Sequence, residues 1–412
     1  MINLLIYTNT YYPKIDGISY RIDEFIKRNK DKINITVVTP YQRINNKYEN
    51  VSLYNNYGEH LKICKNDNSN IYYVPVKNMF NYFKYIKDII KKHNINRIHV
   101  YQGDLTYGIF YYLSEIYNIP LIYSWHTHIH LYGIHYGINK YIIFILSFLL
   151  KFLLYNKCDL FYNVSKSSEE NLISYNILNT DHKNKKILPY FINSKIFYPI
   201  DYKIKDNNKN DKMKLLYVGR ITKEKNLDNL ILFIDKYKEQ FDLSLIGDGC
   251  YLNDIKNKII TMNLQDNITL YGKIDKKKLN YYYNTHDVFV QPSISETMGF
   301  VTLEAMATKC CVVGKNACGT KDIISSGKNG LLYNNDEELY NYLLLIKNNK
   351  ELKEFLQNNA YNDILKYTVD NYCMELLNNI TNTKKVKDTK LELVINISFY
   401  VLFLFILFIF NL

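Results

Sequence analysis

The stretch PSISETMGFVTLEA, residues 292–305, follows the apolar run DVFV at 287–290 and opens a helical pattern. A short apolar strand leading through a Pro-Ser turn into a helix is the junction of a βα unit. In open α/β sheets, ligands sit beyond the carboxyl ends of the strands, so this junction is where chemistry is expected. Two glutamates, Glu296 and Glu304, stand eight positions apart with a small glycine-containing turn between them. Backbone N–H groups around Met298, Gly299 and Phe300 would point off the helix N-terminus and make an anion site suited to a phosphate. Glu296, on the loop, is placed to accept hydrogen bonds from sugar hydroxyls. Glu304, two turns into the helix, could reach vicinal ribose hydroxyls, as acidic residues do in dinucleotide folds.

A second junction, VGRITKEKNL at 218–227, begins at the end of an apolar run, 214–218. Gly219 permits a tight exit from a strand. Arg220 and Lys225 flank a short loop that leads into a helix. A diphosphate leaving group gathers negative charge as its bond breaks. Arg meets that charge with a bidentate fork and Lys with a point charge.

Working outward, apolar runs at 2–8, 34–39, 71–75, 97–101, 120–125 and 159–164 alternate with helical patterns such as 82–93 and 105–117. Residues 200–213 are polar and aperiodic and read as a linker. The alternation then restarts, with strands at 214–218, 241–246, 267–271, 287–290 and 311–313. Helices fall near 226–238, 251–262, 275–284 and 299–308, and helical pattern fills 336–380. Strands separated by helices imply parallel βαβ units, and two such series imply two doubly wound α/β domains with a cleft between them.

The chain has 412 residues, of which 47% are apolar, enough for two large cores. Its 41 tyrosines and many Asn, Ile and Lys are spread evenly, so a single Tyr or Asn carries little information. The formal net charge of +12 is compatible with nucleic acid, anionic lipid or a phosphorylated ligand. No zinc-ligand spacing and no aromatic RNA-binding strand motif is present, so nucleic acid is not an expected partner. Seven scattered cysteines, without a CxxC, suggest neither a disulfide framework nor a zinc site and fit a reducing, cytosol-facing location. The opening MINLLIYTNT lacks a basic n-region and reads as a first strand.

Two further segments are apolar on nearly all faces. Residues 141–155, interrupted by Lys151, suit either a buried core helix or a helix dipping into a lipid surface beside the acceptor site. Residues 393–410 form a near-continuous apolar run. As a helix it would be about 27 Å long, close to the thickness of a thin internal membrane. Lys384, Lys385, Lys387 and Lys390 precede it and place the bulk of the chain on the cytosolic side.

These motifs, in this order, resemble glycosyltransferase family 4, the large retaining class with the GT-B architecture. The resemblance extends to Gly247-Asp248-Gly249, to Tyr271-Gly272-Lys273-Ile274, to Ala317 through Ile324 and to Asn329 through Tyr333. Earlier in the chain it takes in Pro13, Asp16-Gly17, Ser124-Trp125-His126-Thr127-His128, Val164-Ser165 and Leu188 through Pro199, spanning roughly residues 1–380. The His-Thr-His tripeptide followed by Leu131-Tyr132, the Ser295–Phe300 stretch and the apolar segment 141–155 are similar to the sulfoquinovosyl-diacylglycerol synthase subgroup of glycolipid glycosyltransferases. Three departures stand out: Asp16-Gly17 replaces a glycine pair, Cys318-Gly319-Thr320-Lys321 replaces Gly-Gly-x-Pro, and Asn193 replaces Asp.

The resemblance implies a UDP-sugar donor, a membrane lipid acceptor of diacylglycerol type, retention of anomeric configuration, and no metal or other cofactor. It implies that Arg220 and Lys225 hold the diphosphate, Glu296 the sugar and Glu304 the ribose. Gly17 would let backbone approach the diphosphate, and His126 would contact the sugar near the reacting centre. Gly219, Gly247, Met298, Gly299 and Phe300 would line the donor site, with Gly272 and Ile274 by the base. His128, His130 and His135 are expected bystanders. The implied layout is an acceptor-side domain at 1–199, a linker at 200–213 and a donor domain at 214–366. A returning helix with a basic flank at 367–390 and a transmembrane tail anchor at 391–412 complete it. The tail would hold the enzyme on an internal membrane such as the endoplasmic reticulum. Alternatives that stay open are a phosphatidylinositol-modifying enzyme of GPI-anchor synthesis, an epimerase or glycogen-synthase-like enzyme on the same architecture, and an inactive nucleotide-sugar-binding scaffold.

Overall fold

The computed structural model describes residues 1–11, 16–40, 48, 50–55, 59–62, 70–74, 76–101, 106–126, 157–175, 177–178, 184–200 and 212–386. In the first half, β1 (Asn3–Thr8), α1 (Gly17–Asn29), β2 (Asn34–Thr39) and β3 (Val51–Asn55) precede a pair, β4 (Glu59–Lys62) and β5 (Asn70–Tyr73). Then follow α2 (Met79–Lys92), β6 (Arg97–Tyr101), α3 (Tyr107–Tyr117), β7 (Leu121–Ser124), β8 (Leu160–Asn163), α4 (Lys166–Ser174) and β9 (Lys185–Ile187). The described strands form a parallel sheet in the order β3-β2-β1-β6-β7-β8-β9.

The run at 71–75 does not join that sheet. As β5 it pairs antiparallel with β4. The seven residues between them are too few for a parallel crossover, which needs a dozen or more.

The second half contains β10 (Met213–Val218), α5 (Leu227–Lys236), β11 (Phe241–Ile246), α6 (Leu252–Thr261), β12 (Ile268–Gly272), α7 (Lys276–Thr285), β13 (Val288–Gln291) and α8 (Phe300–Ala307). β14 (Cys311–Lys315), α9 (Thr320–Ile323), β15 (Leu331–Tyr333), α10 (Asp336–Asn348), α11 (Lys350–Ile364) and α12 (Val369–Asn382) complete it. Its sheet is parallel, in the order β12-β11-β10-β13-β14-β15. The order reverses at the β10/β13 boundary, the switch point where such sheets open a crevice.

Local chemistry explains two junctions. Asp16 is the N-cap of α1: its Oδ1 accepts from the N–H of Ile18 at 3.0 Å and of Ser19 at 2.8 Å. Ser19 Oγ in turn accepts from the Asp16 N–H at 2.8 Å, closing a capping box. The aspartate that departs from the family's glycine pair therefore starts the helix. α12 carries Val369, Tyr372, Cys373, Leu376 and Ile380 on one helical stripe, and these are buried with Ile22, Phe25 and Ile26 of α1. Burying each such aliphatic side chain contributes about 1.5–3 kcal/mol, so the last described helix closes the first half although it follows the second.

Lys385, one of the lysines of the expected basic flank, turns its side chain into the fold. It is buried, paired with Glu115 and 3.3 Å from Asp159 Oδ2, while the Val386 N–H donates to Asp159 Oδ1 at 2.7 Å. Two carboxylates beside α3 and β8 outweigh the solvation of one ammonium. Among the described residues no helix is long and apolar enough to cross a membrane. Residues 391–412, the segment 141–155, Lys387, Lys390, Pro13, His128, His130, His135 and most of the 200–213 linker lie outside the described residues.

Candidate active site

The carboxyl ends of β10, β11 and β12 are finished by Gly219, Gly247 and Gly272. Gly219 N–H donates to the Ile246 carbonyl at 3.0 Å and Gly247 N–H to the Gly272 carbonyl at 2.9 Å, so the three exits lie side by side. A Cβ at Gly247 would sit 1.7 Å from the Gly219 carbonyl oxygen, so no other residue fits there without moving a strand end. Ile274, just beyond, packs partly buried on the core that includes Val218, Ile246 and Leu303.

The β10 exit carries the cations. Residues Lys223–Lys225 make a single 3-10 turn rather than a helix start. Lys225 is turned inward and pairs with Glu296, its side chain 8% exposed and that of Glu296 15% exposed. Arg220 instead points outward, 62% exposed, with its Nη2 3.7 Å from buried Glu224. Of the two expected clamp residues, then, one is sequestered with the acidic loop and one faces the open side of the same turn.

The β13 exit carries the acids. Gly299 adopts φ +88°, a left-handed region that favours glycine, and is the N-cap of α8 without any side-chain cap. Its N-terminal N–H groups are therefore open to an anion. Met298 is buried against the core, and its sulfur accepts the Tyr190 N–H at 3.1 Å. Glu304, four residues into α8, accepts from Lys276 Nζ at 3.2 Å and from the Tyr283 hydroxyl at 3.2 Å. Burial raises its carboxyl above the ordinary glutamate range, and Lys276 and Tyr283 oppose that rise.

The first half closes over this edge. Phe300 stacks on Tyr190 with centroids 4.2 Å apart, and a Cβ at Gly17 would lie 3.0 Å from the Phe300 ring. The Thr297 hydroxyl donates to the His126 carbonyl at 3.2 Å, and Ser165 Oγ donates to the Thr297 carbonyl at 2.6 Å. Asp322 accepts from the Ser167 N–H at 2.7 Å and its hydroxyl at 2.9 Å. The Cys318–Lys321 departure thus forms a loop into α9 that serves the seam, and its Gly319 N–H donates to the Glu296 carbonyl at 2.8 Å. The Asn193 amide donates to the Tyr20 hydroxyl at 3.2 Å.

His126 is buried two residues beyond β7, as expected for a strand-end residue. Burial, the Arg21 charge and His99 hold its imidazole well below the usual histidine range. Three contributors escaped the sequence reading: Arg21, Tyr190 and Lys276. Lys276 not only meets Glu304 but lies 4.0 Å over the Tyr20 ring. Arg21 and Lys276 sit on amphipathic helices and Tyr190 lies in the Leu188–Pro199 segment, but no local pattern singles out these side chains.

Two parallel α/β sheets facing across a crevice, with anion-binding exits on one and a histidine on the other, define a GT-B glycosyltransferase. The family description "Glycosyl transferases group 1" matches residues 200–363, and "Glycosyltransferase Family 4" matches residues 15–182. The chain belongs to glycosyltransferase family 4. It is 28% identical over 85% of its length to an uncharacterized glycosyltransferase of Methanocaldococcus jannaschii, covering 90% of that protein. It is 25% identical over 82% of its length to an alpha-monoglucosyldiacylglycerol synthase of Streptococcus pneumoniae, covering 77% of it. A sulfoquinovosyl transferase of Arabidopsis thaliana is 29% identical over 62% of this chain and 50% of its own length. Among solved structures, the Anabaena protein HepE in complex with UDP-glucose superposes with a TM-score of 0.71 at 14% identity, over 92% of this chain and all of that one. That likeness concerns the fold.

Proposed function

We propose that this glycosyltransferase moves a sugar from a UDP-sugar to a membrane lipid of diacylglycerol type, with retention of configuration and without a resident metal. The observation that carries the reading is the Lys225–Glu296 pair beside the uncapped α8 N-terminus, at the seam where Gly17, His126 and Tyr190 meet Phe300 and Thr297. A diphosphate laid on the α8 amides meets Lys225 from below and Arg220 from the solvent side. Its sugar then lies by Glu296, and the ribose by Glu304. No second nucleophile is needed when the acceptor hydroxyl approaches the face the leaving diphosphate vacates and that diphosphate takes the hydroxyl proton. Catalysis is then charge stabilisation and positioning.

The lipid acceptor is supported by likeness to the monoglucosyldiacylglycerol synthase and by the two apolar segments. Lys385 and Val386 rest on Asp159, so the described chain at 386 lies beside residue 159, soon after the described chain resumes at 157. One face would then meet the bilayer, with the catalytic halves in the cytosol and the tail in an internal membrane. The test is a screen of radiolabelled UDP- and GDP-sugars on membranes containing the protein, with thin-layer chromatography of the lipid products. A labelled glycosyl-diacylglycerol formed from a UDP-sugar supports the reading. Label in an inositol lipid, or only in water-soluble product, overturns the acceptor assignment.

A further inference from the structure

Arg21 lies on α1, just after Asp16-Gly17, and is 1% exposed. Its guanidinium donates through Nη1 to His126 Nδ1 at 3.0 Å, through Nη2 to the Leu188 carbonyl at 3.3 Å and through Nε to the Tyr372 hydroxyl at 3.2 Å. Two aromatic rings lie against it, Tyr190 at 4.8 Å and Tyr372 at 4.7 Å. A guanidinium has only donors. The nitrogen it meets must therefore offer a lone pair, and the single proton of a neutral imidazole must sit on the other nitrogen.

That other nitrogen, His126 Nε2, is buried and has no hydrogen-bond partner among the described residues. A buried N–H left unmet is costly, so it calls for an acceptor beyond the described residues, which an oxygen of the bound sugar would supply. The groups facing the ring are Arg21 from α1, His99 and Tyr101 from β6 and Tyr190 from the segment after β9. Tyr101 stacks on it at 5.6 Å and Tyr190 at 6.4 Å. Among the described residues none of these groups is a carboxylate, so none of them favours the ring's protonated form.

We propose that Arg21 is a positioning residue that locks His126 as an Nε2–H donor, so that the histidine hydrogen-bonds an oxygen of the bound sugar and neither accepts nor delivers a proton. This rests on the proposed function only for the identity of that oxygen. It narrows the role of His126 from a residue near the reacting centre to a fixed donor. It also makes α12, through Tyr372, part of the support of the site.

Long-range proton–nitrogen NMR of the full chain labelled at histidine, without substrate, reads the tautomer directly, with His126→Gln used to assign the signal. The expected spectrum shows Nε2 protonated and Nδ1 bare, unchanged from about pH 5.5 to about 8.5, where free imidazole titrates. Arg21→Met is expected to give mixed tautomers and to lower kcat/KM by about 10- to 100-fold. Arg21→Lys, which restores one donor, should return the Nε2–H form and part of the activity. An Nδ1–H tautomer, or titration within that range, in the native protein overturns the proposal, even if Arg21→Met does not fold. Because the spectrum needs no donor or acceptor, its outcome is independent of the lipid screen.

Discussion

Lys225 and Glu296, 71 residues apart in the chain, form an ion pair between the β10 and β13 exits with both side chains largely buried. The pair exists before any donor arrives. An ammonium has three donors, and the contact with Glu296 uses one of them. The two expected contacts, one for diphosphate and one for sugar, are thus a single electrostatic unit.

Lys225→Ala should lower kcat by about 10²–10³, the scale for removing one preorganised electrostatic group. It should also destabilise the fold, because Glu296 is left as a buried charge without its partner. Glu296→Gln, nearly isosteric, should keep the melting temperature and still lose activity. Steady-state kinetics beside thermal unfolding separates the effects. Near-normal turnover in Lys225→Ala would defeat the clamp assignment.

Glu304→Gln should raise the donor KM by about 10- to 100-fold with kcat nearly unchanged, since a charged hydrogen bond to ribose is worth about 1.5–3 kcal/mol in both ground and transition states. Lys276 competes for the same carboxylate in the free enzyme. Lys276→Met should therefore change UDP affinity measured by calorimetry, while Lys276→Arg should not. Equal UDP binding by wild type and Glu304→Gln would remove the ribose role.

Asp322→Ala breaks two hydrogen bonds to Ser167 across the seam. The expected result is a higher KM for donor with kcat retained at saturation, because closure of the cleft then draws on donor binding. An unchanged KM would show that the seam does not govern cleft closure.

His99 is buried, with its pKa lowered to about 3, chiefly by burial and secondarily by Arg21. A depressed histidine gives stability that is present above the unfolded value near 6.5 and lost as pH falls toward the folded value. Between about pH 7 and pH 5 it should cost the fold about 2 kcal/mol. Denaturant unfolding at the two pH values should show this loss. His99→Gln should reduce the loss by about 2 kcal/mol, leaving the part due to buried His126. A pH-independent midpoint in wild type would contradict the neutral buried state.

Strand ends within a residue or two of the expected positions, at 34–39, 97–101, 241–246 and 268–272, reflect continuous apolar runs that only a buried parallel sheet accommodates. The short edge strands β3, β9 and β15 were not legible. Edge strands need little apolar sequence, and their pairing is decided by what the neighbouring strand leaves open. The 336–380 helical pattern was legible as helix and the resemblance implied a returning helix at 367–390, but the break between α10 and α11 and the surface of α1 that α12 covers were not legible. That return depends on which apolar surface is uncovered after both sheets have formed.

The amino-acid sequence by itself determined the two βα series, the family and the chemistry-bearing loops at 218–227 and 292–305. Those follow from local periodicity, turn residues and the charge types a diphosphate requires. Only the tertiary structure decided that Lys225 turns inward to Glu296 while Arg220 stays outside, that Lys276 meets Glu304, that Lys385 is buried, and that Arg21 fixes the His126 tautomer. Each of these is a long-range pairing of a buried charged or polar group, set by which partners the packed chain brings within about 3 Å. Hydrogen bonds and ion pairs of this kind leave no periodic trace along the chain.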